Sequence, residues 1–229
     1  MKLYELVGLE ERYTSPFCWR AKMALAHKGL EFETEPVKFT EKAKLAFSGQ
    51  EQVPVIVDGD SVVSDSWKIA CYLEDSYPAA PALFCSADNR RLTRVFNHWF
   101  DQLVTMTLFP LVVADNFDVV HDEDMEYYTR SRREWTGRTR EELLRDRSEE
   151  DFVAWRKRLE PLREQLGGLV YFGGNSPLFQ DYIVFSMFMW ARAVSPWPVI
   201  KKDDSLYDWR ERMLDLHDGL ARKTKGYEY

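Results

Sequence analysis

The segment Tyr13–Leu30, YTSPFCWRAKMALAHKGL, decides how the first part of this chain folds. Ser15 is a favoured helix N-cap and Pro16 is favoured at the first helical position, so a helix is predicted to begin here. Apolar residues from Phe17 to Leu25 recur at the spacing of one buried helix face. Gly29 suits the residue that follows the last turn. The segment therefore predicts one helix, closed at both ends.

Strand patterns surround this helix in the first eighty residues. The segment Phe39–Glu51 is predicted to be weakly helical or looped. Asp58–Gly59 suits a tight hairpin turn between two strands. The predicted strands are Lys2–Gly8, Glu31–Val37, Val53–Gly59 and Ser61–Asp65, and a further helix follows at Ser66–Pro78. The order β-α-β-α-β-β-α implies a parallel pair, an antiparallel hairpin and a small mixed sheet.

The rest of the chain carries helical periodicity only. The Pro- and Ala-rich segment Pro78–Ala82 is a plausible linker. We therefore predict an α/β domain at residues 1–80 and an all-α domain at residues 86–229. Candidate helices span residues 88–114, 122–146, 149–166, 177–193 and 204–224.

Composition restricts the function. The 229 residues carry a net charge of -7, which argues against nucleic acid as the main partner. A basic cluster at Arg130–Trp135 is expected to lie on a solvated surface of mixed charge. Aromatic residues make up 14% of the chain, which favours an apolar pocket or interface in addition to the core. No zinc-ligand spacing, signal peptide or bilayer-length apolar segment is seen, so we expect no metal, no membrane partner and a cytoplasmic location.

Ser15 and Cys18 stand where many redox proteins have two cysteines. Ser15 has one structural explanation as a helix cap. In addition, a helix N-terminus concentrates unpaired N–H groups and partial positive charge, so a hydroxyl there suits the binding of a thiolate. Cys18 occupies the second position of the motif and is predicted to be a small buried residue. The chain therefore lacks a dithiol cycle, and Ser15 is the candidate for activating the sulfur of another molecule.

Two further segments suit a small peptide ligand. Pro54 lies at the start of the clearest strand, where either a trans bond or a cis Val53–Pro54 bond is compatible with the sequence. The cis form would present the backbone of Val53 to an extended peptide. Asp65 and Ser66 precede a helix and suit capping. They also suit an ammonium group and a carboxylate, respectively, of one zwitterionic ligand.

These segments together resemble the glutathione transferase superfamily. The matching text is TSPFCWRAKMALAHKG, QVPVIVDGDSVVSDSWKIACYLEDSYP and FGGNSPLFQDYIVFSMFMWA. The sequence of these motifs most resembles the branch that holds bacterial β-aryl etherases and related fungal transferases. The resemblance implies a thioredoxin-like domain, an α-helical domain and a homodimer, with glutathione as co-substrate and no metal.

Site residues follow from the resemblance by motif. Ser15 would contact the glutathione sulfur; because Thr14 is adjacent, it remains an alternative. The implied glutathione contacts are Lys42, Gln52, Val53 with Pro54 cis beside it, Asp65 and Ser66. The family also places Ser or Thr three residues before the aspartate of a buried helix. Here Leu178 stands before Asp181, so either the box is weakened or Ser176–Pro177 caps the helix earlier.

The electrophile is expected between Ser15 and the helical domain. The candidate wall consists of Phe17, Trp19, Met106 and Phe109, with Trp190 or Trp197 joining them. The resulting hypothesis is a glutathione transferase that acts on a hydrophobic or aromatic electrophile, with ether cleavage as one form of that reaction. Two alternatives remain: a non-catalytic protein that holds glutathione or aromatic ligands, and a disulfide reductase acting through Cys18.

Overall fold

A four-stranded mixed sheet forms the first half of the chain. The computed structural model describes residues 1–229. The strands are β1 (Lys2–Leu6), β2 (Glu33–Val37), β3 (Val55–Asp58) and β4 (Ser61–Ser64), in the spatial order β2-β1-β3-β4. β1 pairs parallel with β2 and antiparallel with β3, and β3 pairs antiparallel with β4. The predicted mixed sheet is confirmed.

The first helix, α1 (Pro16–His27), begins and ends as the sequence predicts. The side chain of Ser15 accepts a hydrogen bond from the backbone N–H of Cys18, and Gly29 follows the helix with a φ of 65°. A left-handed φ favours glycine because a Cβ is strained there. A short 3₁₀ helix at Lys42–Ser48 occupies the predicted weak region, and α2 (Ser66–Ser76) follows the hairpin.

The second half is helical throughout. A π-helical turn at Asp101–Thr105 joins the first two of its helices, and Gly137, with a φ of 69°, divides the predicted helix 122–146 into two. The α-helices are α3 (Ala87–Phe100), α4 (Met106–Val112), α5 (Met125–Thr136), α6 (Arg140–Arg145), α7 (Glu149–Arg156), α8 (Glu160–Leu166), α9 (Phe179–Val194) and α10 (Ser205–Gly219). No helix is long and apolar enough to cross a bilayer. The domain boundaries at 80 and 86 fall between α2 and α3 and stay a prediction.

Helix α9 forms the centre of the core, since every residue in it except Gln180 is buried. Its start carries half of a capping box. The carboxylate of Asp181 accepts from the backbone N–H of Leu178 at 3.0 Å, from Phe172 and Gly173, and from the Trp209 indole. The side chain of Leu178 is apolar, so it cannot accept the reciprocal hydrogen bond from the backbone N–H of Asp181. The box is therefore the weakened form, and Asp181 provides the stabilisation that remains.

Arg20 of α1 links the two halves. Its guanidinium is fully buried, donates to Ser186 Oγ of α9 at 3.0 Å and pairs with the carboxylate of Asp101 at 2.5 Å. A buried arginine needs such partners because an uncompensated charge is costly away from water. This contact fixes α1, and Ser15 at its start, relative to the helical half.

Candidate functional site

A cavity of about 350 Å³ lies between the sheet half and the helical half. The sheet half contributes Thr14, Ser15 and the loops after β2 and before β3. The helical half contributes α4, α5 and α9. Among the sequence-predicted site residues, those that line the cavity are Ser15, Phe17, Lys42, Gln52, Val53, Met106, Phe109 and Trp190.

Ser15 lies at the sheet side of this cavity, at the start of α1. Its Oγ is 3.2 Å from the backbone nitrogen of Cys18 and accepts that hydrogen bond. Accepting this bond leaves the hydroxyl hydrogen free to donate into the cavity. The unpaired N–H groups of the first helical turn add partial positive charge. The arrangement suits the binding of a thiolate.

Thr14, beside Ser15, also lines the cavity. It is buried, and its Oγ1 has no hydrogen-bond partner. A buried hydroxyl without a partner is uncommon in folded proteins, so this atom is a second polar group available to a ligand. The choice between Thr14 and Ser15 for the sulfur stays a prediction in favour of Ser15.

Cys18 lies behind Ser15 and does not line the cavity. The side chain is fully buried, and burial raises the pKa of its thiol to about 12. The nucleophile in thiol chemistry is the thiolate, which such a pKa leaves scarce at neutral pH. This geometry disfavours the disulfide reductase.

The Val53–Pro54 peptide bond is cis. The backbone N–H of Asp65 donates to the Pro54 carbonyl at 3.2 Å, so the start of α2 is placed beside this bond. Asp65 Oδ1 caps α2 by accepting from the Lys68 N–H at 3.0 Å. Pro54, Asp65 and the buried Ser66 are outside the cavity lining, although they adjoin Val53, which is part of it.

Lys42 and Gln52 also line the cavity from the sheet side. The Lys42 ammonium pairs with the carboxylate of Glu51 at 2.8 Å, and this partner raises the pKa of Lys42. Glu51 is largely exposed, so the pair is weak and can exchange for a ligand carboxylate.

The apolar wall comes from both halves. Phe17 of α1 lines the cavity together with Met106 and Phe109 of α4, and the rings of Phe109 and Trp190 stack with centroids 6.0 Å apart. Trp197 lies elsewhere, stacked on Phe152.

The expectation for Trp19 is wrong. Its ring is 1% exposed, belongs to the main core and donates its indole N–H to the Tyr13 carbonyl at 2.9 Å. The helical phase explains the difference, because Phe17 and Trp19 lie two positions apart and so project from different sides of α1.

Helix α5 also contributes to the cavity, and none of its residues is among the site residues that the sequence predicts. Tyr127, Tyr128, Arg132 and Trp135 line the cavity, together with Phe39 from the loop after β2. The expectation that Arg130–Trp135 lies on a solvated surface is therefore wrong for Arg132, whereas Trp135 lines the cavity and is still 54% exposed. The sequence does carry a signal for this shared face. Tyr128 and Arg132 are spaced i, i+4 and Arg132 and Trp135 i, i+3, and residues at these spacings lie on one face of a helix.

Two family models match the chain. The model described as "Glutathione S-transferase, N-terminal domain" matches residues 14–76, and "Glutathione S-transferase, C-terminal domain" matches residues 92–216. Among curated proteins, a zeta-class glutathione S-transferase of Euphorbia esula is 33% identical over 104 residues, which are 43% of this chain and 44% of that protein. Glutathione S-transferase U28 of Arabidopsis thaliana is 23% identical and is matched over 80% of this chain and 71% of its own length. The match spans less than half the length of the Euphorbia relative.

Solved structures resemble the chain over nearly its whole length. Glutathione transferase GSTFuA3 from Phanerochaete chrysosporium is 29% identical with a TM-score of 0.72, and the match covers 95% of this chain and 91% of that one. The glutathione S-transferase CsGST63524 of Ceriporiopsis subvermispora, solved in complex with glutathione, is 20% identical with a TM-score of 0.79. The match covers 95% of this chain and 96% of that one. The second likeness concerns the fold alone.

Proposed function

Because this chain belongs to the glutathione S-transferase family, we propose that it transfers glutathione to a hydrophobic or aromatic electrophile. The observation that carries the proposal is the position of Ser15. Its hydroxyl lies at the start of α1 and on the wall of a cavity whose other side is aromatic. One cavity thus adjoins both a place for a thiolate and a place for an apolar acceptor.

Each half of the cavity has its own role in the proposed reaction. Ser15 Oγ donates a hydrogen bond to the glutathione sulfur, and the helix N-terminus stabilises the negative charge. The thiol proton leaves to solvent, and the sulfur forms a bond to carbon. In a displacement, that carbon releases an aryloxide or halide with its electron pair. In an addition, the π electrons of an activated double bond move onto its second carbon, which takes up a proton from solvent. Catalysis comes from thiolate stabilisation and positioning.

The remaining glutathione contacts are assigned by position. Val53, beside the cis bond, offers backbone groups to the cysteinyl part of the peptide. Asp65 and Ser66 adjoin it and suit the γ-glutamyl end, while Lys42 and Gln52 suit the glycyl end. The ether-cleaving form of the reaction agrees with the aromatic wall of Phe109, Trp135 and Trp190, which fits an aryl leaving group.

We further propose a homodimer in the cytoplasm, with domains at 1–80 and 86–229. An apolar stripe on α3 and the following turn supports the dimer. Leu92 is 70% exposed, Val95 66% and Leu103 45%, and these residues recur at helical spacing. Exposed apolar patches of this kind mark protein interfaces.

Calorimetry with glutathione, followed by turnover assays on a panel of aryl halides, aryl ethers and activated alkenes, tests the function. The proposal predicts glutathione binding and turnover that Ser15→Ala largely removes. Absence of glutathione binding contradicts it. Binding that survives Ser15→Ala, with no turnover on any electrophile, supports the non-catalytic alternative instead.

A further inference from the structure

Arg132 is an arginine without a counter-ion on the wall of the cavity. Two other arginines of α5 and α6 have carboxylate partners: Arg130 pairs with Glu126 at 3.8 Å and Arg140 with Asp118 at 2.5 Å. No ion pair in the structure includes Arg132, and its buried Nε has no hydrogen-bond partner. A guanidinium that lines a cavity and has no carboxylate partner in the chain is available to an anionic ligand.

Aromatic rings surround this guanidinium. Its Cζ lies 4.5 Å from the ring centroid of Tyr128, 5.5 Å from Trp135, 5.6 Å from Phe39 and 5.8 Å from Phe109. Cation–π contacts hold the side chain in place and compensate part of its lost hydration. They do not satisfy its N–H donors, which need oxygen acceptors. The surroundings therefore suit a ligand that carries both an aromatic ring and an acidic group.

Tyr128 and Asn116 add further polar groups beside Arg132 on the cavity wall. The amide Nδ2 of Asn116 donates to the Tyr128 hydroxyl at 2.7 Å, and both residues are buried. The phenolic hydrogen has no acceptor among the hydrogen bonds of the chain, and the Oδ1 of Asn116 is unpartnered. Buried polar groups are usually satisfied, so these atoms point to a polar ligand group at this end of the cavity.

We propose that the acceptor of this protein is an aromatic carboxylic acid whose carboxylate binds Arg132 and the hydroxyl of Tyr128. This inference rests on the proposed transferase function. In the proposed complex, the Arg132 guanidinium orients the acceptor by its carboxylate, and the rings of Trp135 and Phe109 contact the aromatic part of the acceptor. The reacting carbon then faces Ser15 across the cavity. Arg132 is a specificity residue and takes no part in bond making.

A carboxylate at Arg132 has a second conceivable source, the glycyl end of glutathione. The acceptor is favoured because the rings around Arg132 include Phe109 and Trp135, which are part of the apolar wall that holds Trp190. The two sources differ in a measurable way. Loss of Arg132 impairs one acceptor class in the first case and glutathione itself in the second.

Binding without turnover provides the first test. Calorimetry on the glutathione-loaded protein compares 4-phenylbenzoate with its neutral analogue 4-phenylbenzamide. Wild type is expected to bind the acid about tenfold or more tightly than the amide, since a charge-assisted hydrogen bond is lost with the amide. Arg132→Gln removes this preference, and Arg132→Lys restores part of it. Arg133→Gln, an exposed neighbour on the same helix, leaves it unchanged.

Kinetics provides the second test, with 4-chloro-3,5-dinitrobenzoate and its methyl ester as acceptors. Arg132→Gln is expected to raise KM for the acid about tenfold and to leave KM for the ester and for glutathione unchanged. Equal effects on the acid and the ester overturn the proposal, as does unchanged binding of 4-phenylbenzoate. A raised KM for glutathione with both acceptors assigns Arg132 to the glycyl carboxylate and also overturns it. A protein that binds the acid through Arg132 but turns over neither acceptor contradicts the transferase function alone.

Discussion

Ser15 Oγ lies 3.2 Å from the backbone nitrogen of Cys18, so one side chain caps α1 and faces the ligand cavity. Its lone pair accepts the helical N–H, and its hydrogen is free for a ligand sulfur. Ser15→Ala should therefore lower kcat/KM by about 10²-fold, as removal of a donor to a developing or bound anion does elsewhere. It should also destabilise the protein by about 1 kcal/mol through the lost cap.

Steady-state kinetics and the ultraviolet absorbance of bound thiolate check this prediction. Loss of the donor should raise the pKa of the bound thiol, so the pH–activity curve should shift to higher pH. Thr14→Val is the matched control because it removes the neighbouring hydroxyl. If Thr14→Val causes the larger loss and the larger pH shift, Thr14 rather than Ser15 contacts the sulfur.

Cys18 should be dispensable for chemistry. Its thiol is buried with a pKa raised to about 12, so it stays protonated at neutral pH. Cys18→Ala should leave turnover within about twofold and should cost about 1 kcal/mol of stability through the small cavity it creates. In native protein, iodoacetamide should modify the exposed Cys85 and spare Cys18. A large loss of activity in Cys18→Ala, at full stability, would revive the reductase alternative.

Asp181 should be one of the most sensitive positions for stability. Its carboxylate accepts from the backbone of Leu178, Phe172 and Gly173 and from the Trp209 indole. Asp181→Ala leaves these buried and partly buried donors without an acceptor and should lower the free energy of unfolding by about 3–5 kcal/mol. Asp181→Asn keeps one acceptor oxygen and should cost less. Urea denaturation measures both, and equal small effects would show that the carboxylate is unimportant.

His217 should make stability depend on pH. Burial, and next the charge of His27, lowers the pKa of His217 from 6.5 to about 4. Tyr182 lies 3.3 Å from its Nε2, the ring of His27 6.2 Å from its ring, and Asp218 is adjacent. Between pH 6.5 and about 4 the unfolded chain binds more protons at this site than the folded chain. The contribution to stability is therefore complete above that range and falls as the pH falls through it.

His217→Asn tests this pH dependence, because asparagine tolerates the φ of 53° at this position. The variant should lose less stability than wild type when the pH is lowered from neutral to acid, as measured by thermal unfolding across the range. If stability falls equally with pH in the two proteins, His217 has the same protonation in the folded and the unfolded chain.

The apolar stripe on α3 should form the dimer contact. Val95→Glu places a charge in that contact and should convert the dimer to a monomer in sedimentation velocity, since a buried unpaired charge is costly. Val153→Glu on α7 introduces the same change at another exposed valine and should leave the dimer intact. A monomeric wild type, or a dimer that withstands Val95→Glu, would exclude this face.

Local chemistry accounts for the parts of the fold that the sequence predicts well. The Ser15 cap, the left-handed Gly29 and the Asp58–Gly59 hairpin are each specified by a few neighbouring residues. The sequence pattern does not predict the break at Gly137, because charged residues continue at helical spacing on both sides of it. The glycine at 137, which adopts the left-handed conformation that ends α5, was the available signal.

The site was only partly predictable for a different reason. The sheet side depends on short motifs, and Ser15, Val53 and Lys42 do lie on one cavity. The opposite wall depends on which face of each helix turns inward, and that is decided by packing between distant segments. The sequence therefore predicts Trp19 in the pocket, although it packs in the core, and Arg132 on the surface, although it lines the cavity.

The decisive experiment is a crystal structure with glutathione bound. We expect the glutathione sulfur within hydrogen-bond distance of Ser15 Oγ, with the peptide backbone beside Val53 and an open space between the sulfur and Trp190. A sulfur that instead contacts Thr14 Oγ1, or a cavity that stays empty at saturating glutathione, would show that Ser15 does not activate the thiol.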